Sequence, residues 1–461
     1  MLIQDTFFHR SYQNTTFLHP GAGSALAFLG FLMFILPRRL ALLPYVALIC
    51  FIPASQRVAI FELDFNLMRL LLIFGWLRIL SRGEHKAVRW IKLDKLVLWW
   101  GIIQTIAYVA LFRNGASAIY MSGKLMEAYG GYYLVRVLVR DWDDVFTLAR
   151  GSAIMSIPVA FFFLIEKFTA TNYFAVFGGL EWTTWERDGK LRAAGALGNP
   201  ILAGCFWASF IPMMGALYWS KGGKILGPMG VISAMVVVVA CASSTPLAAV
   251  AAAGAGAFAF RWRYKARKIL KGILWFCVFI HFARYPRPIW HLISRIDLVG
   301  GSTGEHRYRL IDAFLVRFPQ EWILIGVKST AHWGFGLKDV TNQYVLEGVR
   351  GGILCLLVYL WGIFTVFQYC VYVWQSVEFD RPKVIMAWCL GASVFTHCCS
   401  FIAVSYFGQM NFSWYLHIGL IAGLYENLLR KQELEEEEGE EEGEEQAANG
   451  VERERWLLGA N

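Results

Sequence analysis

The sequence predicts an all-α polytopic membrane protein, and three observations predict it. Of 461 residues, 57% are hydrophobic and only 17% are charged, above the apolar share of an ordinary soluble domain. Apolar runs of roughly 15 to 25 residues recur from residue 22 to residue 429, and a bilayer core takes about 20 such residues per helix. The runs lack the two-residue alternation of barrel strands, and lipid tolerates only helices or closed barrels because every backbone polar group must be satisfied internally.

The runs place spans near 22–36, 40–54, 66–81, 96–112, 119–138, 146–165, 200–219, 225–242, 246–261, 268–284, 348–372, 384–404 and 406–428, about 12 or 13 helices. The first two are short and also fit a hairpin that does not fully cross. The N-terminal MLIQDTFFHRSYQNTTFLHPG is neither basic nor oily enough for a cleaved signal peptide, so the first helix is expected to serve as the targeting signal. Arg78, Arg82, Lys86, Arg89, Lys92 and Lys95, and the stretch RWRYKARKILK at 261–271, belong on the cytoplasmic side by the positive-inside rule. That choice puts 166–199, 285–347 and the N-terminus outside. The expected organisation is a membrane domain over 1–428 with these two extracytoplasmic loops, and a cytoplasmic tail over 429–461. Ten of residues 433–445 are Glu; like charges without apolar partners predict a disordered tail.

The net charge of +9 sits in short loops between spans and not on one soluble module. It suits an anionic leaflet of membrane lipids and argues against nucleic acid as a partner. All nine cysteines fall in apolar runs without zinc-type spacing, which reads as buried free thiols. No internal repeat of the transporter kind is present.

Polar chemistry concentrates in the two outer segments. In LEWTTWERDGKLRAAGALGNPILAG, 180–204, Gly198-Asn199-Pro200 turns into a helix with Pro200 in its first turn. Arg187, Lys190 and Arg192 precede it; the bland reading is an interfacial loop with snorkelling cations. In the second segment, Ser302-Thr303-Gly304-Glu305 reads as a capping box, followed by a helix to about Phe318 with one apolar stripe, Leu310, Ile311, Phe314, Leu315 and Phe318. Arg309 lies between Glu305 and Asp312 as a surface ion-pair member. Arg307 extends the packed stripe, beside His306 in the first turn, where free amides and the helix dipole favour anions. That pattern fits a phosphate site; it also fits an Arg whose stem packs while its head meets water or a lipid headgroup. Asp339, Thr341 and Asn342 then precede a long helix, with Asp339 placed to cap it.

Three local patterns carry a resemblance. RAAGALGNP, Arg192 to Pro200, is one. HRYRLIDAF at 306–314, followed by WILIG at 322–326, is the second. Asn342 with Gln343, Tyr344 and Val345, and Gly352 ten residues on, is the third. Together with the layout of spans to about residue 428, they resemble the O-antigen ligase and O-antigen polymerase superfamily, closest to a subgroup of exopolysaccharide type. Two positions depart from its pattern: Thr341 stands where the family has His, and Ser243-Ser244-Thr245-Pro246 stands where many members have Ser-Arg.

The resemblance implies a GT-C-like membrane glycosyltransferase at the outer face of a bacterial inner membrane, needing neither metal nor nucleotide sugar nor other cofactor. The donor would be a glycan on undecaprenyl diphosphate. The acceptor would be a sugar hydroxyl of another lipid-linked glycan, or of a lipid or protein anchor, with polysaccharide assembly proteins as possible partners. A diphosphate leaving group calls for fixed cations where charge develops, and Arg offers phosphate a planar fork of donors. The acceptor proton calls for a base. The candidates are Arg307 and Arg192 on the diphosphate with Arg187 beside them. His306 or His332 is the base or orienter, with Asp339 as the alternative, and Asn342 and Tyr344 shape the site. Two other classes compete. Lys124 and Glu127, three apart in an apolar helix, along with Arg69 and Arg136, suit a transporter or flippase pathway. The missing family His and Arg suit an assembly partner without catalysis.

Overall fold

The computed structural model describes residues 15–61, 63–283, 288–295 and 304–458, with the side chains of 267 and 441–458 outside that description. The protein is an all-α membrane protein. Among the described residues, six helices are long and apolar enough to cross a membrane. Every apolar run named above carries a helix, and the only sheets among the described residues are two short hairpins.

Helices α1 (Pro20–Ile35) and α2 (Leu43–Phe51) form the first pair. At 1.5 Å per residue, the nine residues of α2 rise about 13 Å, well short of a bilayer core. A hairpin, β1 (Arg57–Ile60) and β2 (Leu63–Asn66), leads into α3 (Leu67–Ser81) and α4 (Lys92–Phe112). The run expected as one span at 119–138 is α5 (Gly115–Leu125) and α6 (Gly131–Leu138) joined by a π-turn, Met126–Gly130. Glu127 in that turn accepts from Arg69 Nε at 2.7 Å and Asn66 Nδ2 at 2.9 Å. π-turns often mark functional positions in helices.

Helix α7 (Trp142–Thr169) crosses back, and hairpin β3 (Trp185–Arg187) and β4 (Lys190–Arg192) follows it. Next come α8 (Pro200–Ala216), α9 (Gly223–Ala240), α10 (Ser244–Phe258) and α11 (Ala266–Ala283). Helix α8 is the centre of the bundle: 78% of its apolar window is buried. Small residues let its neighbours approach; a Cβ on Gly204 would lie 2.5 Å from Pro246 of α10. The helix read from the capping box is α12 (Gly304–Val316), then α13 (Gln343–Ser376), α14 (Arg381–Phe401) and α15 (Met410–Leu458). The proposed cap residues Ser302 and Thr303 lie outside the described residues.

Two expectations are corrected. The tail after 429 is helix to Leu458 and not disordered chain. Glu is a good helix former, and extending a packed helix adds a hydrogen bond per residue without a new nucleus. Arg89 also donates to Glu433 at 2.6 Å and Tyr372 to Gln432 at 2.8 Å, tying the first tail turns to the bundle. The cap of α13 is Asn342, whose Oδ1 accepts from Val345 N–H at 3.0 Å. Asp339 lies three residues too early, because a cap must sit directly before the first helical residue.

Inside the bundle, buried arginines carry acids. Arg136 Nε lies 3.0 Å from Asp94, with both side chains fully buried, and Tyr132 donates to the same carboxylate at 2.6 Å. Arg78 pairs with Glu84 at 3.0 Å and Arg57 with Asp64 at 2.5 Å, and the partly buried Arg38 pairs with the buried Asp144. Each pair neutralises a cation that apolar surroundings would otherwise penalise.

Candidate functional site

Two arginines break that rule. Arg192 and Arg307 are each 8% exposed, yet among the described residues neither has a carboxylate within ion-pair distance. They come from separate segments, Arg192 held at the Cys241 carbonyl and Arg307 at Thr245 and Ala403, and both feel the charge of Arg187.

Arg192 is set by a hairpin that the sequence reading took for an interfacial loop. Trp185 pairs with Arg192 and Arg187 with Lys190. The turn is Asp188-Gly189, with φ of 53° and 71°. Asp-Gly is the residue pair that a tight two-residue turn with positive φ favours, so the signal was present in the sequence. Beyond Arg192, Ala193 N–H donates to the Ala240 carbonyl at 3.1 Å. The Arg192 Nε donates to the Cys241 carbonyl at 3.5 Å, which lays the guanidinium across the top of α9.

Glu166, at the end of α7, holds this segment and was missed by sequence reasoning. Its two oxygens accept from the backbone of Ala194 at 2.9 Å and Gly195 at 3.0 Å. Its carboxylate thus binds amides and leaves the guanidinium of Arg192 without a counter-charge. Lys167 donates to the Leu191 carbonyl, adding a cation at the hairpin base. The only sequence signal was an adjacent acid and base where an apolar run ends. Past the loop, Asn199 accepts from Ile201 N–H at 2.9 Å and caps α8, with Pro200 in its first turn as the spacing predicts.

Arg307 is on the buried face of α12 with Gly304, Leu310 and Phe314, as the stripe predicts. Arg309 lies on the solvent face and pairs with Glu305 at 2.8 Å; Asp312 accepts from Trp290 at 3.2 Å. The Arg307 guanidinium donates from Nη2 to the Thr245 hydroxyl at 2.9 Å and from Nε to the Ala403 carbonyl at 3.2 Å. Thr245 belongs to the segment where the resemblance expects Ser-Arg. Neutral oxygens thus orient both arginines without cancelling their charge.

Burial pushes the Arg192 and Arg307 guanidiniums below their ordinary value, and the charge of Arg187 pushes both the same way. Arg187 itself is half exposed, with Asp188 at 3.6 Å. An Arg side chain stays protonated in proteins. Arg192 and Arg307 are therefore desolvated cations, with the half-exposed Arg187 acting on both, and a bound anion would relieve their cost.

The other candidates divide. Asn342 is buried and donates to the Ile402 carbonyl at 2.9 Å, one residue from the carbonyl that binds Arg307. Beside it the Thr341 hydroxyl oxygen is buried with no hydrogen-bond partner among the described residues. His306 Nε2 lies 3.2 Å from the Asp339 carbonyl. A carbonyl only accepts, so Nε2 is the donor in this contact. Asp339 is thereby joined to His306 through its backbone.

His332 and Tyr344 are not brought to the arginines. His332 Nε2 lies 2.8 Å from Glu321, which also accepts from Trp333 at 2.7 Å and Arg317 at 2.6 Å. Burial works to raise the Glu321 carboxyl, but these three donors together hold it below its ordinary value. Trp333 packs near Phe314, two helical turns, about 10 Å, from Arg307 along α12. Tyr344 donates to the Cys398 carbonyl at 3.0 Å and pins α13 to α14. Were the arginine site catalytic, His332→Ala would change its turnover by less than about threefold, whereas losing a general base costs roughly 10²–10⁴-fold. A steady-state rate comparison of the purified variants checks this.

The two motif glycines form a contact of their own. Gly326 (φ 88°) and Gly352 (φ 72°) face each other's backbone, with Val327 N–H donating to Val349 O at 2.9 Å and Ile353 N–H to Ile323 O at 3.0 Å. This lock joins the segment after α12 to a kink in α13. No protein-family model matches the sequence, and no curated protein matches it.

Proposed function

We propose that the protein is a metal-independent membrane glycosyltransferase. In this reading it moves a glycan from undecaprenyl diphosphate to a sugar hydroxyl at the outer face of a bacterial inner membrane, in O-antigen or exopolysaccharide assembly. The observation that carries it is the pair of buried arginines, Arg192 and Arg307, without carboxylates and with Arg187 beside them. A structural arginine in this bundle is given an acid; these are given only neutral oxygens. Fixed, desolvated donors are what a departing diphosphate needs, because they stabilise developing charge without reorganising. The GT-C-like architecture and the inner-membrane location follow from the resemblance of the three motifs.

In this reading the arginines hold the diphosphate while His306 takes the acceptor proton at Nδ1. Asn342 keeps the loop of Ile402 and Ala403 against the site. The acceptor oxygen forms its bond to the anomeric carbon as the bond to the diphosphate oxygen breaks, and the diphosphate leaves with the electron pair.

The test is reconstitution in liposomes with an undecaprenyl diphosphate-linked oligosaccharide and no ion gradient. New glycosidic bonds and released undecaprenyl diphosphate are expected, and the rate should persist in excess EDTA. Movement of the intact lipid-linked glycan across the bilayer without bond formation would establish the transporter reading instead. Neither product nor movement would leave an assembly partner.

A further inference from the structure

His397 of α14 and His417 of α15 are both fully buried, and neither belongs to the arginine site. Ionisable side chains inside membrane helices are costly and tend to be kept for a function. The two imidazoles meet, with His397 Nε2 at 3.2 Å from His417 Nδ1. His417 Nδ1 also lies 2.7 Å from the Ser413 carbonyl. A carbonyl only accepts, so this Nδ1 is a donor. His397 Nε2 faces that N–H and therefore accepts, which puts the His397 proton on Nδ1. From there it is donated to the Tyr406 hydroxyl at 2.8 Å.

This chain of donors sits in a fixed frame. Phe210 of α8 packs edge-on to His417, with ring centroids 4.9 Å apart, and Trp414 packs edge-on to His397 at 5.7 Å. Phe401, the last residue of α14, packs edge-on to Tyr406 at 4.6 Å. Helices α8, α14 and α15 thus hold both imidazoles and the phenol in one orientation. Apolar rings would fill this space without the cost of burying polar groups, so the bonds need a reason beyond packing.

The reason lies in the loop between α14 and α15, to which Tyr406 belongs. Its Ile402 carbonyl accepts from Asn342 at 2.9 Å and its Ala403 carbonyl from Arg307 Nε at 3.2 Å. Ser405 donates to the Val340 carbonyl at 2.8 Å, and Tyr406 N–H donates to Gln343 Oε1 at 2.8 Å. On one side, then, the loop grips Arg307 and the segment that enters α13. On the other, the Tyr406 phenol ties it to the histidines of α14 and α15. Tyr406 follows Ala403 by three residues, at most about 10 Å of chain. A displaced phenol therefore carries its shift to the carbonyl that orients the guanidinium.

We infer that His397, His417 and Tyr406 form a latch that positions the 402–406 loop and, through its Ala403 carbonyl, the Arg307 guanidinium. They are positioning residues: they act on Arg307 through the loop. Their effect on transfer rests on the transferase reading, whereas their hold on the loop does not. A misplacement on the order of 1 Å costs a reaction roughly 10²-fold, so the phenol oxygen should matter to the rate from outside the site.

The experiment uses the full-length protein in nanodiscs. It reads amide hydrogen exchange of 402–409 by mass spectrometry, the melting temperature, and transfer from the lipid-linked donor. Ala403 and Val404 N–H donate to the Ser400 carbonyl and Tyr406 N–H to Gln343, so these amides report the loop. Tyr406→Phe removes one oxygen and keeps the ring. It should speed their exchange at least about tenfold and lower kcat at least about tenfold, with KM within about twofold. His397→Phe should do the same, and His397→Asn, whose amide still donates toward Tyr406, should recover part of both. The decisive variant combines Tyr406→Phe with His397→Phe. Removing both partners of a buried hydrogen bond is close to neutral for stability, so its melting temperature should return to wild type while exchange stays fast and kcat low. Tyr372→Phe, which loses a phenol bond to Gln432 in the last turns of α13, should change neither. Wild-type exchange in the double variant overturns the latch, whatever the rate. Fast exchange with a wild-type rate overturns the positioning of Arg307. Fast exchange in the variants of a protein that itself makes no glycosidic bond keeps the latch and removes the transferase reading.

Discussion

Arg307→Ala should lower glycan transfer by roughly 10²–10³-fold, the usual cost of removing one fixed donor from developing charge, and should leave the fold intact. The second half of that expectation separates a site residue from a structural one. Removing a cation from a buried pair strands its carboxylate and costs about 3–5 kcal/mol; Arg136→Ala would do so by stranding Asp94. Arg307 leaves behind only the Thr245 hydroxyl and the Ala403 carbonyl. Its removal also relieves a buried charge, so thermal stability should be equal to wild type or higher. Arg307→Lys should recover part of the rate, since it keeps the charge and loses the planar fork. Rates with the lipid-linked donor, read beside melting curves of the same preparations, check both halves. An inactive variant that is also strongly destabilised would mark Arg307 as structural.

Gly352→Ala should be the most destabilising of the single-methyl additions, on the order of 3 kcal/mol or more, because strained φ/ψ and a backbone clash add. Gly352 has φ 72° and ψ −171°, a region essentially confined to glycine. A Cβ there would sit 2.1 Å from the Leu324 carbonyl oxygen, which is backbone and cannot rotate away. Gly326→Ala meets the Val349 carbonyl at 2.0 Å and should behave alike. Gly362, farther along the same helix, has nothing within 4 Å of its Cβ, so Gly362→Ala should be neutral or stabilising by about 0.5–1 kcal/mol. A melting temperature for Gly352→Ala near that of Gly362→Ala would show that the α13 kink is not locked by this contact.

These two predictions also mark how far the sequence could be read. Arg307 was legible because helical periodicity is local: its place four before Ile311 and seven before Phe314 puts it on the packed face in any fold that keeps α12. Arg309 was legible for the same reason, through Glu305 four residues earlier. The hairpin under Arg192 was legible in principle, in Asp188-Gly189. The cap of α13 was not read correctly, because Asp339 and Asn342 are both capping types and only the first helical residue decides between them.

Composition and hydropathy by themselves determined an all-α membrane protein, the places of its helices and the packed face of the Arg307 helix. These follow from the solvent: lipid demands apolar residues in runs of helical length, and that demand is written along the chain. Only the tertiary structure decided which arginines have acids. Arg136 finds Asp94 and Arg69 finds Glu127 across helices, while Arg192 finds the Cys241 carbonyl and Arg307 finds Thr245 and Ala403. The sequence holds 43 basic and 34 acidic residues, and no local pattern says which of them pair. A charge is compensated or stored according to contacts between segments far apart in the chain, and those contacts exist only once the helices have packed.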